Sequence, residues 1–207
     1  MERVGGARQY LVIDLASEQW EVRLIPEPVY ERFPGGEALA LHLWSQFAKD
    51  DYHEAPSEAP LLFALGALAG SAALCTNTLT ITGLSPQTHM VGSSTAMASF
   101  APSLVSCGWQ AVVLQGVARR QMTLHIDATS VRFNPSERLL KKRSSQAIRL
   151  VAEKNTDSVL CIGPAGEQGV SFASIMHEGR ALERNGFGAV MGKKHIKAMI
   201  VSAGPYA

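Results

Sequence analysis

Two glycine-rich segments in the C-terminal part of the chain constrain its fold more than any other feature. Ile162–Glu167 reads IGPAGE, and Gly186–Gly192 reads GFGAVMG, followed directly by Lys193-Lys194-His195-Ile196-Lys197-Ala198. Glycines at this density, separated by short apolar runs, describe backbone brought close to something. Each one tolerates a positive φ or a close approach that a side chain would block.

The bulk of the sequence sets the scale. At 207 residues and 46% hydrophobic, the chain has apolar material for one sizeable core or two small, closely packed lobes. Nineteen basic residues against eighteen acidic ones leave a net charge of +1, so no long-range field favours nucleic acid or a membrane. Lys141-Lys142-Arg143, beside Ser144 and Ser145, reads as the solvated start of a helix rather than a nucleic-acid patch. Cys75, Cys107 and Cys161 are widely spaced with no CxxC, which argues for buried reduced thiols and against an iron–sulfur cluster or structural zinc. The N-terminus lacks the charged and apolar regions of a signal peptide. The longest apolar run, Pro60–Leu74, is interrupted by Gly66 and Gly70 and is too short to span a bilayer. The expectation is a cytoplasmic protein.

Periodicity gives a coarse map. Tyr10–Leu15 and Trp20–Ile25 read as strands of a hairpin turning at Ala16-Ser17-Glu18. After the break at Pro34-Gly35-Gly36, Glu37–Phe47 carries Leu39, Leu43 and Phe47 at helical spacing. Asp50–Ala59 reads as a loop. Leu61–Leu65, Thr78–Thr82, Ala111–Gln115, Met122–Ile126, Val159–Ile162, Ser171–Met176 and Ala198–Val201 read as short strands. Ala98–Cys107 reads as a helix with Pro102 in its first turn. Ser144–Glu153 reads as an amphipathic helix with Ile148 and Val151 inward and Arg149 and Lys154 outward. Strands in groups, separated by isolated helices, argue for an α+β fold. Val112–Gly116 and Met199–Gly204 end alike, each an apolar strand closing on glycine, which points weakly to a duplicated half.

The order of these segments resembles the N-terminal domain of the aldehyde ferredoxin oxidoreductase family, from about Tyr10 to Gly204. A hairpin is followed by a Gly-Gly turn into a helix at Gly35, Gly36, Leu39 and Ala40. Gly66–Gly70 (GALAG) stands where the family has GPLTG, and Leu84-Ser85-Pro86 resembles its KSPLTG segment. Cys107–Ala111 runs into Val112–Gly116 as the family's AGYDA runs into a strand and a glycine. IGPAGE and GAVMG are the most specific pieces. The resemblance implies a single domain over 1–207, α+β, with two related mixed sheets and a few helices. In the family that domain forms a base under a tungsten or molybdenum bis-pterin cofactor, with a magnesium ion bridging the pterin phosphates. It also implies that the family's later, cluster-binding helical domains lie outside this chain.

Carried over residue by residue, the resemblance is mixed. Arg180 and Ala181 match a cofactor-contacting Arg-Ala pair, and Gly186 opens the glycine segment beside them. Thr78 stands in place of a second family arginine, and a threonine supplies no cationic fork. Thr95 stands where an asparagine offers its carbonyl to magnesium. Met97 and Ala98 replace a Gly-Gly pair, Glu37 replaces an arginine, and Asn185 replaces a glycine. Together these changes remove a cation, add an anion and fill space; like charges about 4 Å apart repel by about 4 kcal/mol even at an effective dielectric of about 20.

No catalytic residue is expected in this chain. His42, His53, His89, His125, His177 and His195 lack metal-ligand spacing and read as surface or helix-end residues, with His177 and Glu178 bordering any cofactor site. Glu167 reads as a loop-fixing acceptor, and Trp44 and Trp109 as core or interface aromatics. The function implied is a non-catalytic accessory subunit that pairs with itself or with a full-length oxidoreductase of the family. Two alternatives stand beside it: a genuine bis-pterin-binding component, and a small-ligand module lined by Thr78, Thr95, Ser93 and Ser94. If the parent reaction applies through a partner, it is two-electron aldehyde oxidation with ferredoxin-like electron exchange.

Overall fold

The computed structural model describes residues 8–49, 52, 54–152 and 157–204. In the first half come β1 (Gln9–Asp14), β2 (Gln19–Leu24), α1 (Glu27–Arg32), α2 (Gly36–Phe47), β3 (Leu61–Leu65), β4 (Thr78–Leu84), β5 (Val91–Met97), α3 (Phe100–Ser106) and β6 (Ala111–Gln115). The second half has β7 (Met122–Ile126), β8 (Val131–Pro135), a 3-10 turn (Glu137–Leu139), α4 (Ser144–Val151), β9 (Ser158–Cys161), α5 (Pro164–Glu167), β10 (Met176–His177), β11 (Arg180–Ala181), α6 (Phe187–Lys193) and β12 (Ile196–Val201).

Each half builds one six-stranded mixed sheet. The orders are β2-β1-β6-β3-β4-β5 and, read from its other end, β8-β7-β12-β9-β10-β11. β1 and β6 are parallel, as are β7 and β12, and every other pairing is antiparallel. The two halves are therefore copies of one arrangement. The sequence carries the repeat at its hairpins: Tyr10–Ser17 reads YLVIDLAS and Thr123–Ser130 reads TLHIDATS. Both aspartates fold the turn in the same way. Asp14 accepts from the amides of Ala16 and Ser17 and the Ser17 hydroxyl. Asp127 accepts from the amides of Thr129 and Ser130 and from both of their hydroxyls. A second match runs from Phe100–Ala111 to Phe187–Ala198, where Gly108 (φ 91°) and His195 (φ 60°) both leave their helix with positive φ. The similarity between Val112–Gly116 and Met199–Gly204 falls on β6 and β12, the equivalent strands.

Packing follows from the alternation of each strand. Leu11, Ile13, Phe63, Ile81 and Leu114 of the first sheet join Leu124, Leu160, Met199 and Val201 of the second in one core, with Phe100, Leu104, Phe187 and Met191 of α3 and α6 inside it. The opposite face of the first sheet is covered by α2 through Leu39, Ala40, Leu43 and Trp44. The opposite face of the second is covered by α4, where Val151 is buried and Ile148 half-buried against Val159 and Ile200. Each large aliphatic side chain so buried stabilises the fold by roughly 1.5–3 kcal/mol. Glu153 and Lys154, expected in α4, lie outside the described residues, as do Asp50 and Asp51 of the expected loop. Trp44 and Trp109 are core residues whose indole nitrogens donate to Pro60 O and Asp127 O.

Two expectations need correction, and one segment gains an assignment. Ser171–Ser174 is not a strand, because the Val170 and Ala173 amides turn back onto Ala165 and Val170; only Met176–His177 pairs as β10. Phe187–Lys193, to which the sequence reading assigns no secondary structure, is a helix. Of the thiols, Cys107 and Cys161 are buried, but Cys75 is exposed. Among the described residues no helix is long and apolar enough to cross a membrane.

Candidate functional site

The sequence motifs first lead inside the protein. A Cβ on Gly192 would collide with the Gly166 carbonyl, and one on Gly188 would lie 2.6 Å from the Ala173 carbonyl. Gly166 of the first motif and Gly192 of the second thus approach each other's backbone where α5 meets α6, while Gly188 approaches the backbone of Ala173 and Ser174 between the two motifs. Gly186 faces the same connecting segment: it is buried at the N-terminal boundary of α6 with φ 78°, and a Cβ there would meet the Ser171 carbonyl.

Buried charge holds this contact in place. Lys197 Nζ donates to Ile162 O at 2.7 Å, to Lys142 O at 3.1 Å and to the Glu167 carboxylate. The other Glu167 oxygen accepts from the Lys141 amide at 2.8 Å, so this carboxylate fixes a loop, as its position implied. Glu183 is buried too. Its carboxylate accepts from the amides of Asn185, Ile175 and Gly188 at the start of α6, and burial pushes its pKa up despite those bonds. Neither Lys197 nor Glu183 stood out in the sequence, because each lies among other charges, Lys193 and Lys194 or Arg180 and Arg184, and so looks like any solvated residue.

The candidate cofactor residues lie where the β5 edge of the first sheet meets the β10–β11 hairpin end of the second. Asn185 Nδ2 donates to Ser94 Oγ at 3.2 Å and the Ser85 hydroxyl donates to Asn185 O at 2.8 Å, so residues 85–94 and 185 are tied together. Further along, Ser99 Oγ lies 2.9 Å from His177 Nε2 and 2.5 Å from Glu178 Oε1. Thr95 sits between these ties on β5, and Arg180 and Ala181 form β11. The register adds a relation invisible in the sequence. Thr95 stands opposite Thr80, Ala64 and Ala111 across successive strands, and Ala181 stands opposite Met176, Cys161 and Ala198. Ala111 and Ala198 are equivalent in the repeat, so Thr95 and Ala181 are equivalent as well.

The chemistry of this seam is hydroxylic. Thr80 and Thr95 share a hydrogen bond at 2.8 Å, and Thr82 and Ser93 share one at 2.7 Å. Thr78 lies one strand further in, opposite Met97, half-buried with its hydroxyl beside Gly66. Arg180 is exposed, with Glu178 Oε2 at 3.9 Å. Glu37 is exposed in the first turn of α2, where a carboxylate complements the helix dipole. Two histidines depart from the surface reading: His125 is buried on β7, and His177 is buried with Nδ1 2.9 Å from the Val159 carbonyl. His42 stacks on Phe33, while His53 lies outside the described residues. Among the described residues, no three His, Cys, Asp or Glu side chains are gathered to hold a metal ion. A cavity of about 630 Å³ lies elsewhere, lined in part by Ser57, Gln121, Gln168 and His195.

Comparison with known proteins follows this geometry. Residues 10–203 match the family model described as aldehyde ferredoxin oxidoreductase, N-terminal domain. The tungsten-containing aldehyde ferredoxin oxidoreductase of Thermococcus kodakarensis is 29% identical over 201 residues, covering 95% of this chain and 33% of that protein. The enzyme of the same name from Pyrococcus horikoshii is 33% identical over 148 residues, 70% of this chain and 24% of that protein. An aliphatic sulfonate oxidoreductase, WOR-like subunit, from Pyrococcus furiosus is 27% identical over 94% of this chain and 34% of its own length. The active-site complex BamBC of benzoyl coenzyme A reductase superposes with a TM-score of 0.90 at 25% identity, covering 97% of this chain and 31% of that one. The chain thus spans no more than about a third of these relatives. With the hairpins, the Gly-Gly turn, both glycine motifs and both sheets in their places, it belongs to the aldehyde ferredoxin oxidoreductase family, as a form of its N-terminal domain.

Proposed function

We propose that this chain is a non-catalytic accessory subunit of a tungsten- or molybdenum-pterin oxidoreductase, with a full-length member of the family as its partner. The observation that carries this reading is the state of the seam. A bis-pterin metal group asks for guanidinium forks and bare backbone. Here Thr78 is packed on Gly66, the Thr95 hydroxyl is bonded to Thr80, and Glu178 stands beside the Arg180 guanidinium. That donor set does not fit the group in the way the family pattern holds it. The backbone architecture is meanwhile kept throughout, which suits a role in assembly.

Co-expression with a full-length family oxidoreductase tests the proposal. A stable complex is expected on size-exclusion chromatography, while the isolated chain, made in a host supplied with tungstate and molybdate, carries neither metal nor pterin. Stoichiometric metal and pterin in the isolated chain, lost on Arg180→Ala, would replace this reading with the second one, a cofactor-binding component. One observation favours that second reading: Thr95 and Ala181 occupy equivalent places on the two edge strands, so a ligand with two similar halves would meet similar backbone from each sheet.

A further inference from the structure

The first sheet has two edge strands, β5 at the seam and β2 at the far end, and the sequence of β2 is complementary to itself. β2 pairs on one side with β1, and among the described residues no strand lies on its other side. The Ile25 amide donates to Arg8 O, so the directly bonded couples of this antiparallel pair are Arg8–Ile25, Tyr10–Arg23, Val12–Glu21 and Asp14–Gln19. The alternate residues Trp20, Val22 and Leu24 therefore turn their N–H and C=O groups to the open edge. Their side chains share the inner face of the sheet; Trp20 packs on the core, but Val22 is 43% and Leu24 74% exposed. On the other face Glu21 and Arg23 are exposed side by side, with 2.7 Å between Arg23 Nε and Glu21 Oε1.

We infer that β2 is the docking surface for β2 of a second copy of this chain, joined antiparallel about Val22 into a continuous sheet. In that register Val22 bonds to its own counterpart, Trp20 to Leu24 and Leu24 to Trp20, which uses the residues whose backbone groups face outward. The same register sets Glu21 opposite Arg23 twice, in the closer, non-bonded couples where cross-strand charges interact best. On the inner face it lays Trp20, Val22 and Leu24 against Leu24, Val22 and Trp20, covering apolar surface that the monomer leaves in water. A shift by one residue would place apolar side chains opposite charges, so the pattern selects a single register. Exposed edges are ordinarily blunted by charge or proline. β8, the equivalent edge of the second sheet, ends in Pro135 and has no such opposed charges. The two edges are thus built differently, and only β2 is built to pair. The inference stands independently of the accessory-subunit reading.

Charge reversal tests it, using sedimentation equilibrium of the full chain over a concentration series. The wild-type chain is expected to dimerise reversibly. Glu21→Arg and Arg23→Glu, each placing like charges opposite one another twice, should each raise the dimer Kd about tenfold or more. The double variant Glu21→Arg/Arg23→Glu restores both opposed pairs and should return the wild-type Kd. Both positions are exposed, so circular dichroism should report unchanged folding. A chain that stays monomeric throughout the series, a dimer indifferent to the single reversals, or a double variant as weak as either single one would each overturn the inference.

Discussion

Gln110 and Lys197 occupy the same place in the two halves of the molecule, and they solve the same problem differently. Gln110 immediately precedes β6, and Lys197 is the second residue of β12, at the irregularity between Ile196 and Ala198 in its pairing with β7. Each is wholly buried and accepts a backbone bond from the last residue of the neighbouring strand or the one after it: the Leu65 amide donates to Gln110 O, and the Ile162 amide donates to Lys197 O. Each side chain then returns to the same carbonyl, Gln110 Nε2 to Leu65 O at 2.9 Å and Lys197 Nζ to Ile162 O at 2.7 Å. Beyond that point they diverge. Lys197 has Glu167 as a counter-charge, and all three of its protons find acceptors. Among the described residues Gln110 has no equivalent of Glu167, and its Oε1 is a buried acceptor without a hydrogen bond. One socket is neutral and incompletely satisfied, the other ionic and complete. An internal repeat thus preserves the path of the backbone while the polar chemistry at equivalent points drifts.

The largest expected effect comes from breaking the ionic socket. Glu167→Ala leaves the Lys197 ammonium buried without its counter-charge, and should cost about 3–5 kcal/mol, lowering the thermal midpoint by roughly 10 °C or more for a chain of this size. Lys197→Gln combined with Glu167→Gln makes the second half resemble the first. That double variant should lose only about 1–2 kcal/mol, since both charges leave together. A double-mutant cycle by urea unfolding would expose the difference as a coupling energy well above 1 kcal/mol. If the double variant is as unstable as Glu167→Ala, the two sockets are not interchangeable.

A smaller effect depends on pH and again sets the halves against each other. Lys194 and Cys107 are equivalent, each near the end of an inner helix and bonded to a carbonyl just beyond the last strand of the other half: Lys194 Nζ to Gly116 O at 3.0 Å, Cys107 Sγ to Ser202 O at 3.1 Å. Burial lowers the Lys194 pKa from 10.5 to about 8 and raises that of Cys107 from 9.0 to about 11. Between pH 8 and 10.5 the unfolded chain holds a proton on Lys194 that the folded chain has released, so this residue adds stability as pH rises. Between pH 9 and 11 the folded chain keeps the Cys107 proton that the unfolded chain loses, so this residue removes stability as pH rises. Unfolding free energies across that range should therefore rise less steeply in Lys194→Met and fall less steeply in Cys107→Ala than in the wild type.

The smallest effect should be nearly symmetric. Asp14→Ala and Asp127→Ala each remove the acceptor that folds a hairpin turn, and each should cost about 1 kcal/mol. Chemical denaturation giving values that differ by more than about 1 kcal/mol would show that the two turns contribute unequally to their halves.

Much of the fold was legible because its signals are local. The hairpin of β1 and β2, the apolar face of α2 and the short strands β3, β6 and β7 follow from alternation and helical spacing alone. β5 was missed: Val91–Met97 reads VGSSTAM, small and hydroxylic, and becomes a strand through its ladder with β4. α6 was left unassigned because glycine is a poor helix former, yet here glycine allows the α5 backbone to approach. The internal repeat was visible in YLVIDLAS against TLHIDATS, and comparing the chain with itself would have found it. For the candidate site, the family resemblance selected Thr95 and Arg180–Ala181; the structure adds that Thr95 and Ala181 hold equivalent positions on the edge strands β5 and β11. The hydroxyl ladder, the bond between Asn185 and Ser94, and the packing of Thr78 on Gly66 join residues distant in sequence, so no local pattern announces them.

The contact between Gly166 and Gly192 has a consequence for how such chains are sorted. Backbone against backbone leaves no room for gradual change, so any side chain there must displace α5 together with Glu167 and its hold on Lys197. Selection for folding alone will keep these glycines after any ligand has been given up. The most recognisable signature of the lineage is therefore a record of ancestry and architecture, and a descendant can carry it intact while its chemistry has moved to another polypeptide.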